Sequence, residues 1–397
     1  MISVEQAFNR IVTSAAPLPT EKVDVAKASG RVIAAPVAAR RSQPAANMSA
    51  MDGYAVRSED LSGKSITLTL IGESAAGHPF NGAVSKGQTV RIFTGAVLPE
   101  GADQVVIQEN VEADGSAIST VTAPRPFSNI REKGTDFFEK QTVLDSGTYM
   151  SAKSIGLAAS AGQAQLMVHR RPRIAILSTG DELAPPDKPS FSAFDTVNSC
   201  GPQIQALIVE TGAEIYSVGQ VGDTLGALSE AIQKNHAADI LVTIGGASVG
   251  DKDFVQQAFV AEGMAIDFWK VAMRPGKPLL FGKKEHQYAL GLPGNPASAF
   301  VCALLFLRPL IDRLMGRPAP LPGSVNIPVA TDLPANGPRQ HYVRARLIGD
   351  PGQRMVDPAE SQDSSLSTVL AQCDGLIVRP PNAEQVSTGS LVPFLPF

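Results

Sequence analysis

PRIAILSTGDE, residues 172–182, is the stretch that decides the fold. From Arg173 to Leu177 it reads as a continuous apolar strand of the kind buried on both faces. It then breaks at once into Ser178-Thr179-Gly180-Asp181-Glu182, a loop of hydroxyls, glycine and carboxylates. The same rhythm repeats downstream. The pattern predicts a helix around 199–211, a strand at 214–218, a helix at 224–235 capped by Thr224, a strand at 239–244 and a helix at about 253–262. Strands at 266–271, 278–282 and 287–291 follow, then a helix at 297–315. Alternation of this kind predicts a mostly parallel sheet with helices on both faces.

Upstream of Pro172 the texture differs. Ser3-x-x-Gln6 has the form of a capping box, and Phe8, Ile11 and Val12 fall at helical spacing, so residues 2–15 are expected to be a helix. Short β-like runs at 65–71, 89–93, 104–108 and 117–122, punctuated by glycines, predict a small antiparallel domain. An Ala- and Gly-rich helical patch at about 151–162 then resumes the helical character, as if one helical unit were interrupted by a β insertion. Beyond residue 320 the runs 325–329, 342–347, 375–379 and 391–395 return to β.

Composition closes off several functions. The 35 glycines and 30 prolines exceed the ordinary shares of about 7% and 5% and mark a chain rich in turns. A net charge of −4 with both signs interspersed leaves no basic field for a nucleic acid. The apolar run 297–307 has half the length of a membrane span and reads as a buried helix. The N-terminus has no charged region followed by an apolar one, so no secretion signal is expected. Three scattered cysteines and five scattered histidines suggest neither a disulfide framework nor a zinc site. The expectation is a cytoplasmic multi-domain protein without nucleic-acid or membrane partners.

Ligands of open α/β sheets bind beyond the carboxyl ends of the strands. The segments expected there are 178–182, Gly219 to Asp223, the run Gly245-Gly246-Ala247-Ser248-Val249-Gly250-Asp251-Lys252-Asp253, and Pro293-Gly294-Asn295-Pro296. Glycines let backbone N–H groups approach an anion, and carboxylates suit a hard cation beside it. A phosphate–Mg²⁺ site is one reading; loops that merely cap their helices are the other. Asp181, Glu182, Asp223, Asp251 and Asp253 would repel on one edge without a metal or basic partner. Arg274-Pro275-Gly276-Lys277-Pro278, with Lys270 just before it, supplies cations for an oxyanion. GxxxxGK[ST] and GxGxxG are both absent. Gly246-Ala247-Ser248-Val249-Gly250 matches G-x-S-x-G, which leaves open a Ser248 hydrolase using His286 or His341. A second set, Asp52, Thr94, Arg131 and Asp136, stands in the β-rich half. It is either turn chemistry or one side of a cleft site.

The ordered segments SAMDGYA at 49–55, RIFTGAVLPEGAD at 91–103, STGDEL at 178–183, GGASVGDKDF at 245–254, RPGKP at 274–278 and GLPGNPAS at 291–298 closely resemble the MoeA family. These are the molybdopterin molybdenumtransferases, related to the E domain of gephyrin, and the resemblance spans essentially the whole chain. It implies a multi-domain fold: a central, mostly parallel, MogA-like molybdopterin-binding α/β domain at 171–318, a β-rich domain (21–38 with 53–137) inserted in an N-terminal helical unit (1–20 with 39–52 and 138–170), and a small C-terminal β-barrel at 319–397. It implies a homodimer that inserts molybdate into adenylylated molybdopterin, cleaving the pyrophosphate bond with Mg²⁺ and releasing AMP.

Carried over to this sequence, the catalytic set is Asp52, Thr94, Arg131, Asp136, Glu182 and Asp253. Gly180, Gly245, Gly246, Ser248, Lys270, Arg274, Lys277, Pro293, Gly294, Asn295, Pro296 and Ser365 bind the substrates, and Asp223, Asp251 and Asp253 hold the metal. Thr135 stands where the family usually has an acid, Ala247 where it usually has Val, and Arg274 where some members have Lys. The chain opens on its first helix, so adenylylated molybdopterin is expected from a separate MogA-type adenylyltransferase, and downstream molybdoenzymes or their chaperones are the expected recipients. A scaffold or sensor that has kept the fold is the alternative from another class; it would be expected to lose some of Asp52, Asp136, Asp223 or Asp253, and none is lost.

Overall fold

Past its first residue, strand Arg173–Thr179 is buried along its length, and its side chains divide by parity. Ile174 and Ile176 enter one apolar cluster, Ala175 and Leu177 another. A strand with two buried faces needs helices on both, and the computed structural model, which describes residues 1–62, 66–120, 125–246 and 254–397, has them. Helices Cys200–Thr211, Pro296–Cys302 and Arg308–Leu314 supply Ile204, Val301 and Leu310 to the first cluster. Helices Leu225–Lys234 and Val255–Ala261 supply Leu228 and Phe259 to the second. The sheet has six strands in the order Glu214–Val221, Arg173–Thr179, Ile240–Ile244, Gln287–Leu292, Leu280–Lys284, Ala265–Trp269. Five of these strands run the same way and only Leu280–Lys284 is reversed, as expected for a mostly parallel α/β domain.

The expected helix 297–315 is broken into Pro296–Cys302, a π turn over Ala303–Leu307, and Arg308–Leu314. Pro309 explains the break: it has no N–H to donate, and its ring crowds the carbonyl four residues earlier, which a widened turn relieves.

The chain divides into two compact units, 1–21 with 30–34 and 168–397, and 22–29 with 35–167. Helix Val4–Ser14 forms with the Ser3–Gln6 capping box as expected. Its placement differs from the expected grouping with 39–52 and 138–170. Val4, Ala7, Phe8 and Ile11 are buried in the apolar cluster of the α/β domain. At its end, Lys283 Nζ and the Tyr288 hydroxyl donate to Ser14 O, and Arg313 Nε donates to Ala15 O. A helix C-terminus whose orphan carbonyls are met by those side chains belongs with the sheet that carries them.

The same unit carries the C-terminal sheet, ordered Met273–Arg274, Gln340–Ile348, Gly375–Arg379, Leu391–Pro396, Val325–Pro328, with Met355–Pro358 on the far side of Gln340–Ile348. A bridge from Val329 to Val356 closes it into the expected small barrel around Val343, Ile377 and Phe394. In the other unit a six-stranded sheet (Gln104–Ile107, Gly53–Val56, Gln88–Ile92, Ile66–Ser74, Ala117–Thr120, Val111–Asp114) encloses Ala55, Val90, Ile92 and Val105. Helix Ala152–Ser160 belongs to that unit too, and a separate apolar cluster there is formed by Ala39, Phe137 and Ala161. No helix among the described residues is long and apolar enough to cross a membrane.

Candidate active site

Thr179, Val221, Ile244 and Leu292 end the four parallel strands, so the loops after them share one edge of the sheet. Together with the RPGKP segment and a turn of the C-terminal barrel, these loops line a cavity of about 990 Å³. The glycines there are structural requirements. Gly245 has φ +93°, and a Cβ on it would lie 2.7 Å from the Thr179 carbonyl oxygen. Gly276 has φ +98°, and a Cβ there would collide with Cys302 Sγ.

Of the residues expected from sequence, Glu182, Asp223, Gly245, Gly246, Arg274, Lys277, Pro293, Gly294, Asn295, Pro296 and Ser365 line the cavity. Gly180 lies beside it, with the Glu182 carboxylate folded toward its Cα. Lys270 does not line it: the ammonium sits 4.2 Å from the centre of the neighbouring Trp269 ring. Ser248, Asp251 and Asp253 lie outside the described residues.

The lining is polarised. Glu182 and Asp223 follow the two strands at one edge of the sheet, and the Asp223 N–H donates to Asp181 Oδ1 at 3.1 Å. Arg274 and Lys277 stand on the side of the C-terminal barrel, because Met273–Arg274 pairs in parallel with Gln340 and His341. That pairing also brings in Arg339, which sequence reasoning missed; one of its N–H groups reaches Met273 O at 3.4 Å. The PGNP loop is clasped to the barrel. Asn295 Nδ2 donates to Ser364 Oγ at 2.9 Å, and the Ala297 N–H donates to Ser364 O at 3.1 Å. The Ser365 N–H and hydroxyl both donate to Asp363 Oδ1, at 3.0 and 2.9 Å, and hold that carboxyl below the usual carboxylate range. Ser178, Ser199 and Ser298 add hydroxyls to the wall, and Cys200, also missed, donates its thiol to Gly294 O at 3.3 Å.

Behind the cationic side lies His341, in register with Arg274 on one strand and Arg379 on another. Burial, then Arg274, Arg339, Arg344 and Arg379, push its imidazole down to about 4. Among the described residues none of these four arginines is in an ion pair. A ring so depressed is a poor general base near neutrality. His286 stands in the turn before strand Gln287–Leu292, at the end of the sheet away from the cavity. Neither histidine is placed as a general base at the cavity.

In the other unit, the backbone N–H and hydroxyl of Thr94 both donate to Asp52 Oδ1 at 2.8 Å. These bonds, with the nearby Arg91 charge, hold the Asp52 carboxyl below its ordinary range. Arg91 lies against the rings of Tyr54 and Phe93, 4.9 and 5.0 Å from their centres, and donates to Gly53 O. Arg131 is exposed on strand Ile130–Arg131, paired with Met48–Ser49. Asp136 is exposed and donates its N–H to Gln43 O at 3.0 Å.

Comparison with known proteins gives this geometry its context. The chain is 34% identical over 404 residues to a molybdopterin molybdenumtransferase of Haemophilus influenzae, covering 100% of this chain and 99% of the relative. It belongs to the MoeA family. Its three segments match models of the MoeA N-terminal region (domain I and II) at 2–162, a probable molybdopterin binding domain at 175–313, and the MoeA C-terminal region (domain IV) at 326–397. A molybdopterin molybdenumtransferase of a Nostoc species is 36% identical over 392 residues, covering 96% of this chain and 90% of the relative. Among solved structures, a molybdopterin biosynthesis MoeA protein from Pyrococcus horikosii superposes with a TM-score of 0.85 at 26% identity, covering 100% of this chain and 99% of that one. The cavity described above is thus built on the MoeA fold, from the segments that match the probable molybdopterin binding domain and the MoeA C-terminal region.

Proposed function

We propose that this chain is a molybdopterin molybdenumtransferase that inserts molybdate into adenylylated molybdopterin, with cleavage of the pyrophosphate bond and release of AMP. The observation that carries the reading is the polarised cavity, with Arg274, Lys277 and Arg339 on one side and Glu182 and Asp223 on another. Molybdate is a tetrahedral dianion. Guanidinium and ammonium groups beside hydroxyls are the donors such an oxyanion takes. The Gly245-Gly246 backbone admits the phosphates of the nucleotide close to the loop.

Among the described residues no three His, Cys, Asp or Glu side chains converge on one point. Carboxylates are nonetheless the kind of donor set Mg²⁺ takes when substrate oxygens and water complete its shell. Asp223, with Asp251 and Asp253, is assigned to that ion, and Glu182, which lines the same cavity, to the transfer itself. When bound, Mg²⁺ supplies charge neutralisation at the phosphate oxygens. Arg274 and Lys277 orient the oxyanion. Asp52, Thr94, Arg131 and Asp136 are assigned a part in the same transfer, a role supported by the Thr94 bonds that keep Asp52 ionised. The protein is expected to act as a cytoplasmic homodimer, to receive adenylylated molybdopterin from a MogA-type adenylyltransferase, and to pass the finished cofactor to molybdoenzymes or their chaperones.

The test is AMP release from adenylylated molybdopterin in the presence of molybdate and Mg²⁺. Arg274→Gln and Lys277→Gln each remove a charge-assisted contact of about 1.5–3 kcal/mol and should slow release roughly 10- to 150-fold. Release no faster than in a protein-free blank would sink the reading.

A further inference from the structure

We propose that an apolar pocket beside the main cavity is the subsite for a flat, nitrogen-rich ring of the substrate. The proposal rests on the transferase reading above and adds to it the place where one end of the substrate lies. Adenylylated molybdopterin carries two such rings, a pterin and an adenine, at opposite ends of its phosphates. Yet among the described residues no aromatic side chain lines the main cavity. Its walls are hydroxyls, glycines, prolines and charges, suited to anions rather than to ring faces.

The second pocket, of about 390 Å³, is within the roughly 300–1,000 Å³ of small-molecule sites. It opens from the first: Ser199, Pro296 and Ser367 line both. Its walls are of a different kind. Phe300 and Phe397 meet edge to face, with centroids 4.9 Å apart and planes at 87°, and Leu370 and Ala371 extend the apolar surface. Cys373 lies there with its thiol donated to Val369 O, and burial pushes that thiol up, so it stays protonated and behaves as an apolar group.

One polar atom breaks the pattern. Gln203, on helix Cys200–Thr211, lines the pocket with its amide oxygen buried and without a hydrogen-bond partner among the described residues. An orphaned acceptor in an apolar wall costs stability unless a donor arrives. The exocyclic amino group of a pterin or of adenine is such a donor on a planar, stackable body. A ring in this pocket, with its phosphate chain running past Pro296 into the main cavity, matches each wall to the part of the substrate it suits.

Ala371 is exposed, so Ala371→Trp fills the pocket without touching a core side chain. Equilibrium binding of three probes is measured on the full-length wild type, Ala371→Trp and Gln203→Leu: molybdate, AMP and neopterin monophosphate. The expected result is a loss of at least tenfold in Ala371→Trp, and of roughly fivefold in Gln203→Leu, for one of the two ring-bearing probes. Molybdate binding and the thermal midpoint should be unchanged. The probe that loses affinity identifies the ring. If the wild type binds neither ring-bearing probe, or a folded Ala371→Trp binds both as the wild type does, the subsite is refuted. Molybdate binding in those same samples leaves the transferase reading standing; its absence from the wild type counts against that reading instead.

Discussion

Acidification should weaken this protein through His341 in a window set by that one ring. Burial, and then the charges of Arg274, Arg339, Arg344 and Arg379, bring the imidazole from 6.5 to about 4. The folded state therefore holds the neutral form while the unfolded chain takes up a proton below 6.5. Between pH 6.5 and 4 the unfolded state binds more protons, so stability falls as pH falls, and above 6.5 the ring contributes no slope. A shift of that size corresponds to at most about 3.4 kcal/mol at full expression. Halving it for solvent screening of a partly exposed ring gives roughly 1.5 kcal/mol. The Asp195 carboxyl, held at about 2 chiefly by Lys188, loses its own contribution only at lower pH. Asp312, raised by burial, acts in the opposite sense.

The comparison that isolates the ring is urea unfolding of the wild type and His341→Gln from pH 4 to 7.5. The wild type should lose roughly 1.5 kcal/mol more than the variant over the window. With five histidines in the chain, long-range ¹H–¹⁵N spectra can follow each ring separately. Saturating molybdate, by placing negative charge beside Arg274, should raise the His341 midpoint. A ring that titrates at 6 or above in the free protein, or equal pH slopes in the two proteins, would refute the reasoning.

Other outcomes follow from the same geometry. Asp239 is 1% exposed and takes two bonds from Arg170, at 2.7 and 2.6 Å, and one from the Arg173 N–H. Arg170→Ala leaves that carboxylate buried without its ion-pair partner and should cost about 3–5 kcal/mol in chemical denaturation; a loss under 1 kcal/mol would be inconsistent with this account. Thr94→Val removes one of the two bonds on Asp52 Oδ1, so the Asp52 carboxyl should titrate higher than in the wild type, as read by carboxyl ¹³C shifts. Gly276→Ala forces a Cβ against Cys302 at a backbone angle that favours glycine; it should lower the thermal midpoint, and Gly77→Ala, also at positive φ but with open space around it, should lower it less.

The central sheet was legible because a two-sided buried strand leaves a local trace: apolar runs of five residues, each ended by glycine and a polar group. What was not legible came from contacts between residues far apart in the chain. Helix Val4–Ser14 announces its cap and apolar stripe, but the stripe does not name its partner. Its allegiance is decided by Leu310, Arg313 and Tyr288, some 270 to 300 residues downstream. Pro309 was visible within the expected helix 297–315, and its consequence, a π turn rather than a stop, depends on the packing that holds both halves in the core.

The candidate site divides along the same line. Motifs with glycine beside a charge, such as STGDE, RPGKP and PGNP, mark themselves, since a backbone that bends at glycine next to an ionisable group is rare without a purpose. Arg339 carries no such mark. It stands before an ordinary β run, and only the parallel pairing of Met273–Arg274 with Gln340 and His341 delivers it to the cavity. That pairing adds a guanidinium to the oxyanion side and sets a neutral ring, His341, among four arginines that have no ion-pair partner among the described residues. Arg274 is exposed and Arg339 lines the cavity, so a dianion seated there would offset part of that positive charge. The two-residue strand therefore sets barrel and cavity wall together and places there the cations that suit the dianion of the proposed reaction.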